Sequence, residues 1–168
     1  PMPNFGKNGI VDLKQDMDQA MDPITGEVGL HATPLVVRDV VMIGAAHLPG
    51  TAPKSRRNEK GFVRGYDVKS GRRLWIFHTI PRLGEFGNDT WLEESWSYTG
   101  NTGAWGQLSA DEELGLVYIP TEMPTGDYYG GHHKGNNLFA DTLLALDYKT
   151  GKRVWHYQFV HHDIWDWD

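Results

Sequence analysis

Short runs of β-branched and aromatic residues, bounded by glycine and other turn formers, are the main pattern along this chain. One pattern occurs twice, as GYDVKSGRRLW at residues 65–75 and as ALDYKTGKRVW at residues 145–155. In both copies an aspartate can cap a tight turn, a glycine can adopt a positive φ, and a β-rich run ending on tryptophan follows. Each copy therefore predicts a β-hairpin.

Another predicted pair of strands precedes each hairpin. The first pair comprises residues 30–37 and 40–45, and the second comprises residues 104–109 and 114–121. Four antiparallel strands in a repeating unit are typical of a β-propeller blade. No stretch shows a helical pattern of convincing length. The predicted fold class is therefore all-β, built from four-stranded propeller blades.

The predicted units divide the chain into four consecutive parts, the last of which contains an insertion and ends in the run 161–168. Residues 1–28 are interpreted as the end of a preceding blade and a loop, residues 29–80 as the first blade, and residues 104–168 as the second. Two Gly-rich insertions, 81–103 between the blades and 122–140 inside the second, exceed the usual length of a hairpin connection. Long insertions often carry function. Because each blade buries its faces against both neighbours, two blades are expected to associate with further blades or with copies of the same chain.

Composition narrows the classes of function. The 168 residues include 20 Gly, 9 Pro, 7 Trp, 7 Tyr and 6 Phe, which favours many short strands joined by turns. A formal net charge of -6 makes nucleic acid a poor partner, and the absence of cysteine excludes disulfides, thiolate metal sites and c-type haem attachment. No apolar run approaches the roughly 20 residues that span a bilayer, and the N-terminus lacks a signal-peptide pattern. The chain is expected to be soluble and to be a processed piece or fragment.

Several motifs in a fixed order resemble the pyrroloquinoline quinone (PQQ)-dependent dehydrogenases. Besides the repeated hairpins, they are GNTGAW at 100–105, DEELGLVY at 111–118 and HHDIWD at 161–166. The resemblance is closest to the quinoprotein glucose dehydrogenase branch, through HATPL at 31–35 and YYGG at 128–131. It implies a middle portion of an eight-bladed propeller enzyme that oxidises a sugar, a polyol or another alcohol by hydride transfer to the quinone.

The same resemblance assigns roles to particular side chains. It implies that Asp166 is the catalytic base that takes the hydroxyl proton, and that Trp105 is the surface on which the quinone stacks. His31 and Thr33 match the segment that reaches the carboxylates of the cofactor. Without the resemblance, Asp166 is equally interpretable as a loop carboxylate, Trp105 as a tryptophan packed between blades, and His31 as a core or surface histidine.

The resemblance also implies a divalent metal, expected to be Ca²⁺, with a lanthanide or Mg²⁺ as alternatives. Asp166 and Asp168 form an Asp-x-Asp pair that is assigned to the metal, as in lanthanide-using relatives. Where the alcohol dehydrogenase branch has glycine followed by asparagine, this chain has Glu122 and Met123, and the methionine offers no hard oxygen ligand.

Several other aromatic and histidine positions have competing interpretations. The repeat residues Trp75 and Trp155 are predicted to pack between blades. His132 and His133, in a Gly-rich loop, are predicted to form a solvated tip. A second metal site formed by His156 with the 161–163 run is disfavoured, because neighbouring residues on a strand point to opposite faces.

Three hypotheses for function follow. The first is a PQQ-dependent dehydrogenase with an alcohol or sugar substrate, a quinone or cytochrome as electron acceptor, and a periplasmic location inferred from the family. The second is a non-catalytic propeller scaffold that shares the repeated hairpins, although a scaffold has no need of Trp105 or the 161–166 run. The third is an inactive fragment of such an enzyme.

Overall fold

The computed structural model describes residues 2–30, 32–47, 55–126 and 128–166. Within these ranges the regular elements are ten strands and three short 3-10 helices. The strands are β1 (Val28–Gly29), β2 (Leu35–Val37), β3 (Val40–Ile43), β4 (Ala46–His47), β5 (Val63–Asp67), β6 (Arg73–Phe77), β7 (Ser109–Asp111), β8 (Leu116–Pro120), β9 (Thr142–Asp147) and β10 (Arg153–Gln158). The 3-10 helices are Asn88–Thr90, Leu92–Ser97 and Gly130–His132. None of the helices in the described ranges is long and apolar enough to cross a membrane.

The strands form two antiparallel sheets of four strands, ordered β2-β3-β5-β6 and β7-β8-β9-β10, and β1 pairs separately with β4. This architecture confirms the predicted all-β fold of four-stranded antiparallel units. The two sheets lie within the predicted blades 29–80 and 104–168, whose boundaries stay predictions. In both sheets the longest connection joins the second strand to the third, from β3 to β5 and from β8 to β9.

The predicted first strand of the second sheet, 104–109, was wrong. The strand begins only at Ser109. The residues before it do not pair with β8; instead, the Ala104 amide donates to the carbonyl of Ala45, in the segment after β3, at 3.0 Å. β7 ends where Asp111 Oδ1 accepts the amide hydrogen of Leu114 at 2.9 Å, which closes a tight turn into β8.

The two repeated hairpins have the predicted turn chemistry. Asp67 Oδ1 accepts hydrogen bonds from the amide and hydroxyl of Ser70, both at 2.6 Å, and Asp147 Oδ1 does the same with Thr150 at 2.8 Å. These bonds, with the side-chain hydroxyl contributing most, lower the pKa of both aspartates. The glycine that follows each turn has a φ of 70° in the first copy and 68° in the second, where other residues would be strained.

The two sheets share one hydrophobic core. It is formed by residues of β2, β3, β5 and β6 in the first sheet and of β8 and β9 in the second, together with neighbouring loop residues: Val37, Val40, Met42, Val63, Trp75, Ala104, Leu108, Val117, Ile119, Leu138, Phe139, Leu144, Leu146 and Tyr148. Trp75 is 6% exposed, as predicted for a residue packed between blades. Trp155 is 39% exposed, because neither four-stranded sheet of the described chain covers it, and for this residue packing between blades stays a prediction.

Candidate functional site

Trp105 stands directly after a close crossing of two backbone segments. The residues at the crossing are Gly103 and Ala104 on one side and Gly44 and Ala45 on the other. A Cβ at Gly103 would collide with the carbonyl oxygen of Ala45, and one at Gly44 would collide with that of Ala104. Because only glycine permits this approach, the crossing fixes the backbone from which Trp105 projects. The Trp105 side chain is 47% exposed.

The indole of Trp105 lines a cavity of about 320 Å³, which we call the Trp105 cavity. Its other lining residues come from the end of β8, the start of β9 and the segment after β10: Gly106, Pro120, Thr121, Glu122, Asp141, Thr142, Phe159 and Val160. A volume near 300 Å³ is at the lower end of the range for small-molecule and cofactor sites. The cavity therefore combines an aromatic face and apolar walls with two carboxylates.

One threonine joins the two strand ends that line this cavity. The Thr121 hydroxyl donates to the carbonyl of Phe139 at 2.6 Å and accepts from the amide of Thr142 at 3.1 Å, so the end of β8 is tied to the start of β9. Glu122 and Asp141 flank these residues, and Asp141 is buried. Both carboxylates were missed as site residues. The sequence indicated Glu122 only as the residue at a position where relatives have glycine. Asp141 belongs to no motif, and its position just before a predicted strand was the one signal that could have marked it as a site residue.

The last two residues that line the Trp105 cavity are followed in the sequence by the run that carries Asp166. β10 ends at Gln158, the Phe159 amide donates to the carbonyl of Asp141 at 2.8 Å, and Phe159 and Val160 line the cavity immediately before residue 161. Residues 161–166 are not a strand, so the alternation argument against a shared histidine site was wrong in its premise. No group of three or more His, Asp or Glu side chains in the described ranges is arranged to hold a metal ion.

Two aspartates of the 161–166 run have different environments. Asp163 is 1% exposed, and its Oδ1 accepts the amide hydrogen of Trp165 at 2.9 Å, which turns the chain. Asp166 is exposed and has a φ of 58°, a left-handed conformation that asparagine and aspartate tolerate better than most residues. The run thus presents Asp166 on a turn held from inside by Asp163.

The insertion between β8 and β9 contacts the same run through two histidines. The prediction of a solvated tip was wrong for His133, which is fully buried, because its Nδ1 lies 2.9 Å from Asn137 Oδ1 and its ring lies 5.0 Å from that of His162. Burial lowers the pKa of His133, against the opposing effect of the Asn137 hydrogen bond. His132 is exposed, as predicted.

An open cleft of about 670 Å³ lies beside this contact. It is lined mainly by the insertion, and His162 and Ile164 supply the side that belongs to the 161–166 run. Tyr128 and Tyr129 contribute exposed aromatic rings, and Lys134 and Asn136 contribute polar groups. The cleft therefore provides both stacking surfaces and hydrogen-bonding groups next to the run that carries Asp166.

The other predicted site residues have different positions. Thr33 is exposed two residues before β2 and is not among the residues that line the Trp105 cavity. His31 and Asp168 lie outside the described residues. Of the predicted site residues that the structure describes, only Trp105 lines the cavity; Asp166 follows six residues after the last lining residue, Val160, and Thr33 is not among the lining residues.

The sequence is similar to dehydrogenases along its whole length. The family model described as "PQQ: Glucose/ethanol/alcohol dehydrogenase, beta-propeller domain" matches residues 1–168. Quinoprotein glucose dehydrogenase A of Acinetobacter calcoaceticus is 34% identical over 167 residues, which are 98% of this chain and 20% of the relative. The glycerol dehydrogenase large subunit of Gluconobacter thailandicus is 32% identical over 174 residues, 99% of this chain and 21% of that protein. The chain therefore spans about a fifth of the length of these relatives.

The fold is also similar to solved structures. A europium-containing methanol dehydrogenase superposes with a TM-score of 0.68 at 28% identity, covering 84% of this chain and 26% of that one. A quinohemoprotein alcohol dehydrogenase of Comamonas testosteroni superposes with the same TM-score at 25% identity, covering 84% of this chain and 22% of that one. The two four-stranded sheets thus have the arrangement found in these enzymes.

Proposed function

Because the chain belongs to the PQQ-dependent glucose, ethanol and alcohol dehydrogenase β-propeller family, we propose that it supplies the quinone-stacking face and the catalytic base of an enzyme that oxidises a sugar, polyol or other alcohol. One observation supports this most directly. Phe159 and Val160, which line the Trp105 cavity, directly precede the 161–166 run in the sequence, so the residue proposed for stacking and the carboxylate proposed as base are joined by a short stretch of chain.

Trp105 has the properties that a flat cofactor requires. Its indole is about half exposed on the wall of a cavity of about 320 Å³, and a broad aromatic face gains dispersion without demanding hydrogen bonds. When bound there, PQQ would supply the hydride acceptor, and a metal ion would polarise its carbonyl group. His31 and Thr33 are proposed to approach the carboxylates of the cofactor.

Asp166 is proposed to accept the proton of the substrate hydroxyl. A carboxylate beside a metal cation stays ionised near neutral pH, which is the state that a general base needs. Asp166 lies on a turn and is exposed, so its carboxylate is accessible to a substrate.

The chain offers oxygen donors for a metal beside the cofactor. Asp166 and Asp168 are proposed ligands, and the carboxylates of Glu122 and Asp141 line the same cavity as Trp105. Carboxylate oxygens are the ligands that Ca²⁺ prefers, whereas the buried thioether of Met123 is not. Ca²⁺ is the proposed ion, with Mg²⁺ or a lanthanide as alternatives. We expect a chelator to abolish turnover of the complete enzyme and added Ca²⁺ to restore it.

The rest of the enzyme is proposed to come from further propeller blades. The strand β10 exposes the large apolar side chains of Val154, Trp155 and Tyr157, and we propose that this strand packs against a following blade or against a copy of this chain. A quinone or cytochrome is the proposed electron acceptor, and the periplasm is the proposed location.

The test of the base is Asp166→Asn in the complete enzyme, reconstituted with saturating PQQ and Ca²⁺ and assayed with an artificial dye as electron acceptor. The substitution preserves size and removes the charge, so turnover should fall by about 10² to 10⁴. Asp89→Asn, at an exposed aspartate on a 3-10 helix that lines neither the Trp105 cavity nor the cleft, is the matched control and should leave turnover unchanged. Turnover in Asp166→Asn equal to that of Asp89→Asn would reject the proposed base.

Trp105→Ala tests the stacking face in the same enzyme. Its affinity for PQQ, measured by titrating the apoenzyme, should fall by at least about fivefold, the equivalent of about 1 kcal/mol of lost stacking. Trp105→Phe should restore part of that affinity. Unchanged affinity in Trp105→Ala would favour the scaffold hypothesis or another position for the cofactor.

A further inference from the structure

We propose that His162, held by Asn137 and His133, is a positioning residue that fixes the 161–166 run and thereby sets the place of Asp166. We call these three side chains the clasp. The proposal rests on the proposed function, since it concerns the base of that reaction. It assigns a role to the insertion between β8 and β9 beyond lining a cleft.

The hydrogen-bond geometry of the clasp determines which atoms carry protons. Asn137 Oδ1 lies 2.9 Å from Nδ1 of His133 and 3.3 Å from Nδ1 of His162, while Nδ1 of His162 is also 2.9 Å from the carbonyl of Gly135. An amide oxygen and a carbonyl can only accept hydrogen bonds, so Nδ1 of both histidines must be the donor. The amide nitrogen of Asn137 faces the carbonyl of Lys134 at 3.3 Å, which agrees with this orientation.

Two of the three clasp residues are removed from solvent, and His162 is half-buried at the side of the open cleft. His133 and Asn137 are fully buried, and the His133 ring lies against the ring of His162. A Cβ at Gly130 would collide with Nε2 of His162, so a glycine in the insertion permits the ring to fit there. Buried, fully oriented polar groups favour a single arrangement of the segments they join.

The clasp acts on the run rather than on the insertion. The insertion is attached elsewhere, because the Leu92 amide donates to the carbonyl of Lys134 at 2.8 Å and the Leu138 amide donates to the hydroxyl of Thr90 at 2.9 Å. By contrast, the 161–166 run meets the insertion through His162, which makes the hydrogen bonds, and through the side chain of Ile164 near Gly130. Loss of its donor should therefore free the run while the insertion stays attached to the 88–97 segment.

The run transmits this constraint to Asp166 over a short distance. His162 has a φ of 60°, the next residue is the buried Asp163, and Asp163 fixes the amide of Trp165. Asp166 follows immediately, so few rotatable backbone bonds separate it from the clasp. A shift of about 1 Å in a catalytic group can lower a rate by about 10².

The experiment compares His162→Asp with His162→Asn in the complete enzyme. Both residues tolerate a positive φ and have the same shape, but only asparagine can donate a hydrogen bond from near the position of Nδ1. With PQQ and Ca²⁺ saturating, kcat should fall by about 10- to 100-fold in His162→Asp, with KM and PQQ affinity changed by less than about threefold. His162→Asn should recover most of kcat.

Amide hydrogen exchange of the apoenzyme provides a readout that does not depend on catalysis. Peptides covering 161–166 should exchange faster in His162→Asp than in His162→Asn, and peptides covering 88–97 should exchange equally in the two. His162→Ala, which lacks a donor and adds no charge, replaces His162→Asp if the latter is poorly produced.

Two outcomes would overturn the proposal. The first is faster exchange at 161–166 in His162→Asp with normal kcat, which would show that the clasp affects structure but not catalysis. The second is an equal loss of kcat in the Asn and Asp variants, which would show that the hydrogen-bond donor at residue 162 does not position Asp166. Asp166→Asn is assayed beside them. Normal turnover in that variant rejects the proposed base, whereas reduced turnover there with normal turnover in His162→Asp rejects the clasp alone.

Discussion

The two hairpin copies end on the same residue, yet their tryptophans have different surroundings. Trp75 is 6% exposed, and its indole nitrogen donates to the carbonyl of Tyr148 in the β9–β10 turn of the second sheet at 2.8 Å. Trp155 is 39% exposed and contacts Tyr118 of its own sheet, with ring centroids 5.9 Å apart. The comparison shows that the repeat encodes a docking residue whose burial depends on the neighbouring blade, as in other repeat architectures.

The residue opposite each tryptophan adds to this difference. Trp75 pairs with Gly65 across the hairpin, and a Cβ at Gly65 would collide with the indole, so the ring lies directly over the glycine. Trp155 pairs with Ala145, whose methyl group occupies the corresponding space. The second tryptophan is therefore expected to dock with a different tilt when a further blade covers it.

The largest expected effect is that of Trp75→Ala on stability. Removal of this buried aromatic should lower the free energy of unfolding of this chain by about 3–5 kcal/mol, because it leaves a cavity between the sheets and an unpaired Tyr148 carbonyl. Trp155→Ala should lower it by about 1 kcal/mol, since much of that ring is already in contact with water. Urea unfolding of the two variants measures the difference.

Trp75→Ala and Trp155→Ala should also be compared in the complete enzyme. There the effect of Trp155→Ala should rise toward that of Trp75→Ala if a following blade covers the ring. An effect of Trp155→Ala that is unchanged between this chain and the complete enzyme would contradict the proposed docking face.

The next largest effect is expected for Gly151→Ala. Gly151 has a φ of 68°, and a Cβ there would lie 2.6 Å from the Trp75 ring, so both backbone strain and collision oppose alanine. Gly115 is the matched control, with a φ of 73° and its nearest neighbour 3.9 Å away. Gly115→Ala should lower the free energy of unfolding by about 1–2 kcal/mol from the backbone alone, and Gly151→Ala by about 3 kcal/mol. Equal losses in urea unfolding would show that the Trp75 ring moves aside for the added methyl group at little energetic cost.

Acid should destabilise the insertion of the second sheet more than it destabilises the first sheet, because the insertion contains the buried His133. Its pKa is lowered mainly by burial, with His162 adding to the effect and the Asn137 hydrogen bond and Asp163 opposing it. The unfolded chain therefore binds a proton at higher pH than the folded chain, so the stabilisation is complete above the ordinary histidine value of about 6.5 and declines as the pH falls below it.

The expected result is faster amide exchange of residues 128–137 at pH 5.5 than at pH 7.5, after correction for the intrinsic rate. Residues 63–77 of the first sheet should change less. Similar acceleration in both regions would indicate general acid unfolding instead of an effect centred on the histidine.

The parts of the fold that sequence predicted are those determined by local chemistry. The hairpins follow from an aspartate cap and a glycine within five residues, so Asp67 and Asp147 identified them without any knowledge of the neighbours. The start of β7 was mispredicted, because residues 104–108 look like a strand but are drawn away by a backbone contact with Ala45. That contact joins segments about 60 positions apart, which no local pattern reveals.

The residues of the candidate site also divide into those that a local motif predicts and those that depend on long-range contacts. Trp105 and Asp166 belong to contiguous motifs and were predicted by resemblance, and their roles stay predictions, whereas Glu122, Asp141 and the buried state of His133 depend on how the insertion folds back. A histidine in a Gly-rich loop is usually solvated, and only the acceptor on Asn137 and the ring of His162 account for the burial of this one.

The smallest expected effect concerns the one ion pair between the turns of the two sheets in the described ranges. Arg38, in the β2–β3 turn, lies 3.4 Å from Glu112 Oε2, in the β7–β8 turn, and also donates to the Glu112 carbonyl at 3.2 Å. Both side chains are more than half exposed. Glu112→Gln removes the charge and keeps the carbonyl contact, so it should lower the free energy of unfolding by less than about 1 kcal/mol, with the loss shrinking further at high salt. Urea unfolding at low and high ionic strength measures this. A loss comparable to that of Trp75→Ala would mean that charge at the turns, and not the buried indole, holds the two sheets together.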